Sequence, residues 1–393
     1  MSSGSNKTKR GIDWTIIIVT SILLLFGLVT LMNVLSDPFD GTENTIQAFM
    51  ARLNFEYVGR QIGNIVLSIV VAIPVAITDY RKYKPFLLPM YVLFCLLLVL
   101  LLIIGGRTRG IQGWFSVSSQ SGSLSRAFQP SELSKVVLIT VLSRVAADTY
   151  DKKGHLRSFK DVCFCVIIFV IPFLLVLKQP DFGTAMVMLA IFIAIMFAAR
   201  VGWIYVAGAA VGGAISLPLI YKFLLSYDQK QRIRVFLDPT LDPKGNGYNV
   251  LRAKEVIGFG GLTGKGYFTP GTLSQTGYVP ERQTDFIFSS LAEGLGFVGS
   301  VILVLLYSIL IYRCLHIAFK ARDTYGRCLC IGVAAMLWVH VFENIGMNIG
   351  IMPVTGIPLP LISYGGSNLM ATLLSIAIVL SVRYRTVNGG QIQ

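Results

Sequence analysis

Charge is scarce in this chain, and acid is scarcer than base. Asp, Glu, Lys and Arg make up 14% of 393 residues, while hydrophobic residues make up 54%. A soluble globule of this length would need far more charge on its surface. Histidine occurs three times, and no stretch shows a metal-ligand motif. None of the six cysteines falls in a predicted outer loop, so no disulfide framework is indicated. The pairs Cys163/Cys165 and Cys328/Cys330 lie two residues apart on predicted helices, where side chains diverge, which argues against zinc. A phosphate-binding P-loop is missing as well. Gly260 and Gly264 enclose three residues where the motif needs four, and Gly266 follows Lys265 where Ser or Thr is required. No signal peptide is evident, because the apolar run after the basic N-terminal residues is too long for one and lacks a clear cleavage site.

What the chain does have is long apolar runs without alternation. They predict an all-α polytopic membrane protein with about ten transmembrane helices, near 14–35, 58–78, 86–104, 131–147, 161–177, 182–199, 202–221, 286–312, 328–350 and 357–382. The fourth is interrupted by Glu132, Lys135 and Arg144. More than half of the 34 Lys and Arg fall in segments that lie inside if both termini are cytoplasmic, which is the arrangement the positive-inside rule favours. The domain plan is then a cytoplasmic tail (1–13), one integral membrane domain (14–385) and a second cytoplasmic tail (386–393). One long extracytoplasmic loop (222–285) joins helices 7 and 8, and its many apolar residues predict an ordered, partly re-entrant structure. The net charge of +14 is spread over membrane loops, so anionic phosphate-bearing lipids explain it better than nucleic acid.

Within this frame six constellations carry chemistry. Asp285 stands where a polar loop becomes an apolar helix, beside Glu281 and Arg282. An acid there is either a helix N-terminal carboxylate favoured by the orphan N–H groups, or a reactive group facing a wet cavity. The run from Gly258 to Gly277 holds seven glycines and Lys265, and suits either a close backbone approach to a ligand or a tight-turn linker. Arg232, Arg234, Lys244, Arg252, Lys254, Lys265 and Arg282 form a basic set that fits a pyrophosphate, although any single member could simply face headgroups. Glu132 and Lys135 lie i, i+3 on one helix face and can pair, either as a structural tie or as substrate ligands. In the short turn Lys178–Thr184, Asp181 is a cap for the next helix, and His340 with Glu343 reads as an interior polar pair. Finally, Pro353, Pro358 and Pro360 with Gly356, Gly365 and Gly366 forbid a regular helix at the start of the last span. Irregular backbone at membrane depth needs protein or a wet cavity around it, and a cavity is expected here.

The motifs QPSELSK (129–135), QPDFGTA (179–185), PERQTDFIFSSLAEGLGFVG (280–299) and PVTGIPLPLISYGGS (353–367) together resemble the SEDS family of shape, elongation, division and sporulation proteins. RIRVFLDPTLDPKGNGYNV, the GKGYFTPGT run and NIGMNIG are most similar to its RodA branch. The resemblance spans about 14–385. It implies a peptidoglycan glycosyltransferase that polymerises lipid II into glycan strands at the outer face of the bacterial cytoplasmic membrane during elongation and shape maintenance. A class B penicillin-binding protein is implied as partner. Asp285 would be the catalytic general base on the acceptor hydroxyl, with Glu132, Lys135, Lys265, Glu281, Arg282, Arg252, Trp114 and Ser363 as the substrate-binding set. A divalent cation, Mg or Mn, is implied by the family and the chemistry alone. Gln283 replaces a usual His, Gly294 the second Glu of a usual pair, Arg252-Ala253 a usual Gln-Ser, and Gly113 a common Arg. The alternatives are a division or sporulation paralogue, a flippase that moves lipid II without bond chemistry, or a non-catalytic scaffold.

Overall fold

A computed structural model describes residues 11–43, 45–108, 111–118, 124–156, 158–224, 227–242 and 245–388. Its helices are α1 (Trp14–Leu35), α2 (Ile46–Arg52), α3 (Phe55–Ile77), α4 (Lys84–Ile104), α5 (Pro130–Lys153), α6 (Phe159–Lys178), α7 (Phe182–Ala198), α8 (Trp203–Leu219), α9 (Tyr227–Leu237), α10 (Asn246–Gly260), α11 (Ile287–Lys320), α12 (Thr324–Ile349) and α13 (Gly366–Asn388). A helix stands at each of the ten predicted spans. Seven of them (α1, α3, α4, α6, α11, α12 and α13) are long and apolar enough to cross a membrane, while α7 and α8 are apolar but shorter. The chain is a multi-pass helical membrane protein. The interrupted fourth span is one continuous helix, α5, whose 24 residues give about 36 Å.

Burial sorts these helices. α12 is central, packed on α5, α7, α11 and α13. The apolar stretches of α12 and α13 are 67% and 72% buried, against 17% in α3 and in α4. Ile62, Val66, Val70 and Ile77 on α3, and Leu88, Leu96 and Ile103 on α4, are exposed apolar side chains suited to lipid tails. The inner helices carry the polar groups instead, because only there can each find a partner away from hydrocarbon.

Three features depart from expectation. The loop before α5 contains an antiparallel three-stranded sheet, β1 (Gly106–Thr108), β2 (Ile111–Ser118) and β3 (Leu124–Phe128), in the order β1-β2-β3. The last helix begins at Gly366 rather than near 357, and residues 351–365 are irregular. Thr355, Ile357, Leu359, Leu361 and Ile362 of that stretch are buried in protein, while Met352, Pro353 and Val354 line a pocket with Arg232 and Val250, so the stretch meets both protein and a cavity. Lastly, α11 runs on to Lys320 but breaks at Gly296, where φ is +68° and ψ −167°. Ile287 to Gly294 are all buried, and large apolar exposure starts only at Phe297. Asp285 therefore opens a buried half-helix, not the lipid-facing part of the span.

The break at Gly296 also explains the glycine-rich run. A broken helix leaves backbone groups without intrahelical partners. Here the N–H groups of Phe297 and Val298 donate to the carbonyls of Gly261 and Leu262 at 2.9 and 3.0 Å, and those of Lys265 and Gly266 donate to Glu293 and Gly294 at 2.9 and 3.0 Å. The two backbones touch so closely that a Cβ on Gly264 (φ +82°) would lie 2.2 Å from the Gly294 carbonyl oxygen. These glycines serve backbone packing. The described residues of segment 222–285 include α9 and α10.

Candidate active site

Asp285 is half-buried, one residue before the Phe286 that caps α11. The carbonyls of Gln283, Thr284 and Asp285 are each caught by a donor. Asn344 and Asn348 of α12 donate from Nδ2 to the Asp285 carbonyl at 2.9 and 3.1 Å. Ser363 Oγ donates to the Thr284 carbonyl at 2.6 Å, and Tyr364 N–H to the Gln283 carbonyl at 2.9 Å. Asn344 also donates to the Ile357 carbonyl at 2.7 Å, and Asn348 Oδ1 accepts from Ser289 N–H at 3.2 Å. Three successive peptides are thus fixed by α12 on one side and by the irregular 357–365 stretch on the other. Gly356 (φ +74°) faces the acid: a Cβ there would stand 3.7 Å from Asp285 Oδ2.

Glu281 and Arg282 flank the acid. Glu281 sits at φ +59°, and its carbonyl accepts from Thr284 and Phe286 N–H while its Oε2 accepts from Thr284 Oγ1 at 3.2 Å. Arg282 is partly buried against Gly277, with its Nη1 closed off from solvent and without a hydrogen-bond partner. Burial disfavours its charged form and lowers its pKa. An anion arriving there would meet a guanidinium that is already desolvated.

Glu132 and Lys135 form a second cluster. Lys135 Nζ is 2.9 Å from Glu132 Oε2 and 2.8 Å from His340 Nε2, and both charged side chains are almost fully buried, at 1% and 3% exposure. Asn368 Nδ2 donates to Glu132 Oε2 at 2.8 Å. His340 Nδ1 lies 2.8 Å from the Met336 carbonyl, which requires Nδ1 to donate; Nε2 then accepts from the ammonium. Nearby, Asp181 caps α7 through Thr184 N–H at 3.0 Å, as expected, and accepts from Gln129 and Ser131. The two clusters are joined along α12. His340, Asn344 and Asn348 recur every four residues and so share one helix face, about 12 Å from end to end.

The other predicted ligands lie apart from these contacts. Lys265 is exposed, its ammonium 4.3 Å from the Phe259 ring. Arg252 pairs with Glu255 at 2.8 Å and stacks on Tyr248 and Tyr278. Trp114 is on β2, opposite Gly106. Lys244 lies outside the described residues. Glu293 accepts from Leu273 and Ser274 N–H at 2.7 and 2.8 Å, tying the loop down. Tyr267 fills the space a side chain at Gly294 would need, which accounts for glycine there in place of a second Glu. Reasoning from sequence missed Asn348 and Asn368 as site residues, although the His-x3-Asn-x3-Asn spacing (340–348) was there to be read.

A model of the cell cycle protein family FtsW/RodA/SpoVE matches residues 13–388. The chain belongs to that family. Peptidoglycan glycosyltransferase MrdB of Escherichia coli K12 is 38% identical over 323 residues, covering 82% of this chain and 84% of MrdB. Stage V sporulation protein E of Bacillus subtilis is 33% identical, covering 95% and 97%. The crystal structure of Thermus thermophilus RodA superposes with a TM-score of 0.67 at 26% identity, over 95% of this chain and 97% of that one. A chain from a peptidoglycan synthase complex that coordinates polymerization and crosslinking superposes with a TM-score of 0.73 at 27% identity, over 95% and 98%.

Proposed function

We propose that this protein is a peptidoglycan glycosyltransferase of the bacterial cytoplasmic membrane that polymerises lipid II, with Asp285 as general base. The observation that carries the reading is the Asp285 backbone, held by Asn344, Asn348 and Ser363, at the head of a buried half-helix. A sugar hydroxyl is a weak nucleophile at neutral pH. As the acceptor 4-hydroxyl attacks C1 of the donor sugar, the new C1–O bond forms, the bond from C1 to the lipid diphosphate breaks, and the hydroxyl proton passes to Asp285. General-base help of this kind is worth roughly 10²- to 10⁴-fold. The departing diphosphate gathers negative charge, and Arg282, whose Nη1 has no hydrogen-bond partner, is the proposed cation to receive it.

Among the described residues no group of three His, Cys, Asp or Glu side chains could hold a metal ion. Mg or Mn would arrive on the diphosphate itself. A class B penicillin-binding protein is the proposed partner, on the strength of the likeness to a chain from a synthase complex. The test is purified protein, with and without that partner, given labelled lipid II. Glycan chains on a gel from the native protein, and none from Asp285→Asn at equal expression, support the reading. Translocation of lipid II across vesicles without polymer would replace it with a flippase. Full polymerisation by Asp285→Asn would remove the base.

A further inference from the structure

The end of the bundle opposite Asp285 holds a cluster that the reaction does not use. Helices α1, α11 and α13 meet there around Asp13, which caps α1 and is buried. Arg313 of α11 pairs with Asp13, and Arg383 of α13 approaches the same carboxylate oxygen, its Nε at 3.9 Å. One acid thus serves two arginines, each about one-quarter exposed. The Nε groups of both are closed off from solvent without an acceptor. His316 and Lys320 follow Arg313 at i+3 and i+7, on the same face of α11, and Lys320, Arg313 and Arg383 all lie close enough to act on His316.

Among the described residues, Asp13 is the one acid that pairs with these arginines. The other acids described at this end are engaged elsewhere: Asp79 by Arg81 N–H, Asp323 by Tyr80 and Arg81, Asp148 by Arg144, Asp151 by Thr324 and Asp161 by Lys153. Residues 1–10 and 386–393 contain no Asp or Glu. Aromatic side chains frame the cluster on its open side: Trp14, Tyr312 and Phe319 are 53%, 62% and 77% exposed. Leu305 and Ile309 continue that exposed strip along α11, away from the cations and into the apolar span. Surplus cations above an apolar wall, with an aromatic belt at the boundary, match a phosphodiester carrying two acyl chains.

We infer that Arg313, Arg383, His316 and Lys320 form a binding site for the headgroup of an anionic phospholipid. Arginine forks suit bidentate phosphate contacts, and a site with three permanent cations and one carboxylate prefers an anionic headgroup to a zwitterionic one. Arg313 keeps Asp13 paired, so the cluster can be weakened at Arg383 and Lys320 without orphaning the buried acid.

The experiment compares thermal unfolding of the detergent-purified chain with added dioleoyl phosphatidylglycerol and with dioleoyl phosphatidylcholine. A lipid that binds the folded state raises the midpoint as its concentration passes Kd. Phosphatidylglycerol should raise it more, and Arg383→Gln/Lys320→Gln should weaken that lipid by roughly tenfold or more, the worth of two cations at a charged lipid surface. Lys152→Gln/Lys153→Gln, on α5 at the same end, is the control and should keep the full response. Native mass spectrometry of phosphatidylglycerol retained by the double variant provides a second reading if its unfolding is altered. Equal loss in the control pair would mean diffuse attraction and overturn the site. So would an equal response to phosphatidylcholine, or inorganic phosphate giving the whole shift, which would assign the cluster to a free anion.

Discussion

Replacing Lys135 by Met tests whether the buried pair holds the bundle or handles substrate. The side chain keeps its length but loses the ammonium, which sits 2.9 Å from Glu132 and 2.8 Å from His340 at 1% exposure. Glu132 is then a carboxylate at 3% exposure with Asn368 as its remaining hydrogen-bond donor among the contacts described above. Removing one partner of a buried pair costs about 3–5 kcal/mol, because the other charge stays buried. Replacing both costs far less, so Glu132→Gln/Lys135→Met should recover most of the loss, and the double-mutant cycle should show strong coupling. Unfolding in detergent measures the stability, and lipid II polymerisation is scored on the same preparations. If Lys135→Met unfolds like the native protein yet polymerises nothing, the structural account is refuted and Lys135 belongs to the substrate.

Other outcomes follow from the same geometry. Asn348→Ala removes a donor to the Asp285 carbonyl and an acceptor for Ser289 N–H; with each lost buried hydrogen bond worth about 1–3 kcal/mol, kcat should fall by at least roughly tenfold while KM moves little. A rise in KM at constant kcat would remove its positioning role. Arg282→Lys keeps the charge but not the fork and should lower polymerisation rates, and Arg282→Gln should lower them further; equal rates in all three proteins would dismiss the diphosphate contact. Gly264→Ala places a Cβ 2.2 Å from the Gly294 carbonyl at φ +82°, so it should destabilise the loop by at least about 1–2 kcal/mol, read as faster proteolysis of the 258–277 segment.

Much of this site is written locally. Asp285 is legible because a carboxylate stands where polar chain turns apolar, and Glu132 and Lys135 because i, i+3 spacing puts them on one face. The caps are equally local: Asp181 accepts from a residue three positions on. The lysine's second partner is not local, since His340 is 205 residues away, and nothing in either segment names the other. Lys265 and Arg252 show the converse. Their charge drew attention in the sequence, yet the fold gives them aromatic rings and, for Arg252, a neighbouring acid.

The sequence by itself determined that this chain is a bundle of membrane helices, because runs of apolar residues must bury their backbone polar groups in helices once water is gone. It also determined the family, through long motifs, and the acid at the head of α11. Only the tertiary structure decided that α11 breaks at Gly296, that the glycine run mends the broken backbone, and that α12 lays His340, Asn344 and Asn348 between the ion pair and Asp285. Helix formation depends on neighbours within a few residues, whereas these contacts depend on which faces meet when distant segments pack.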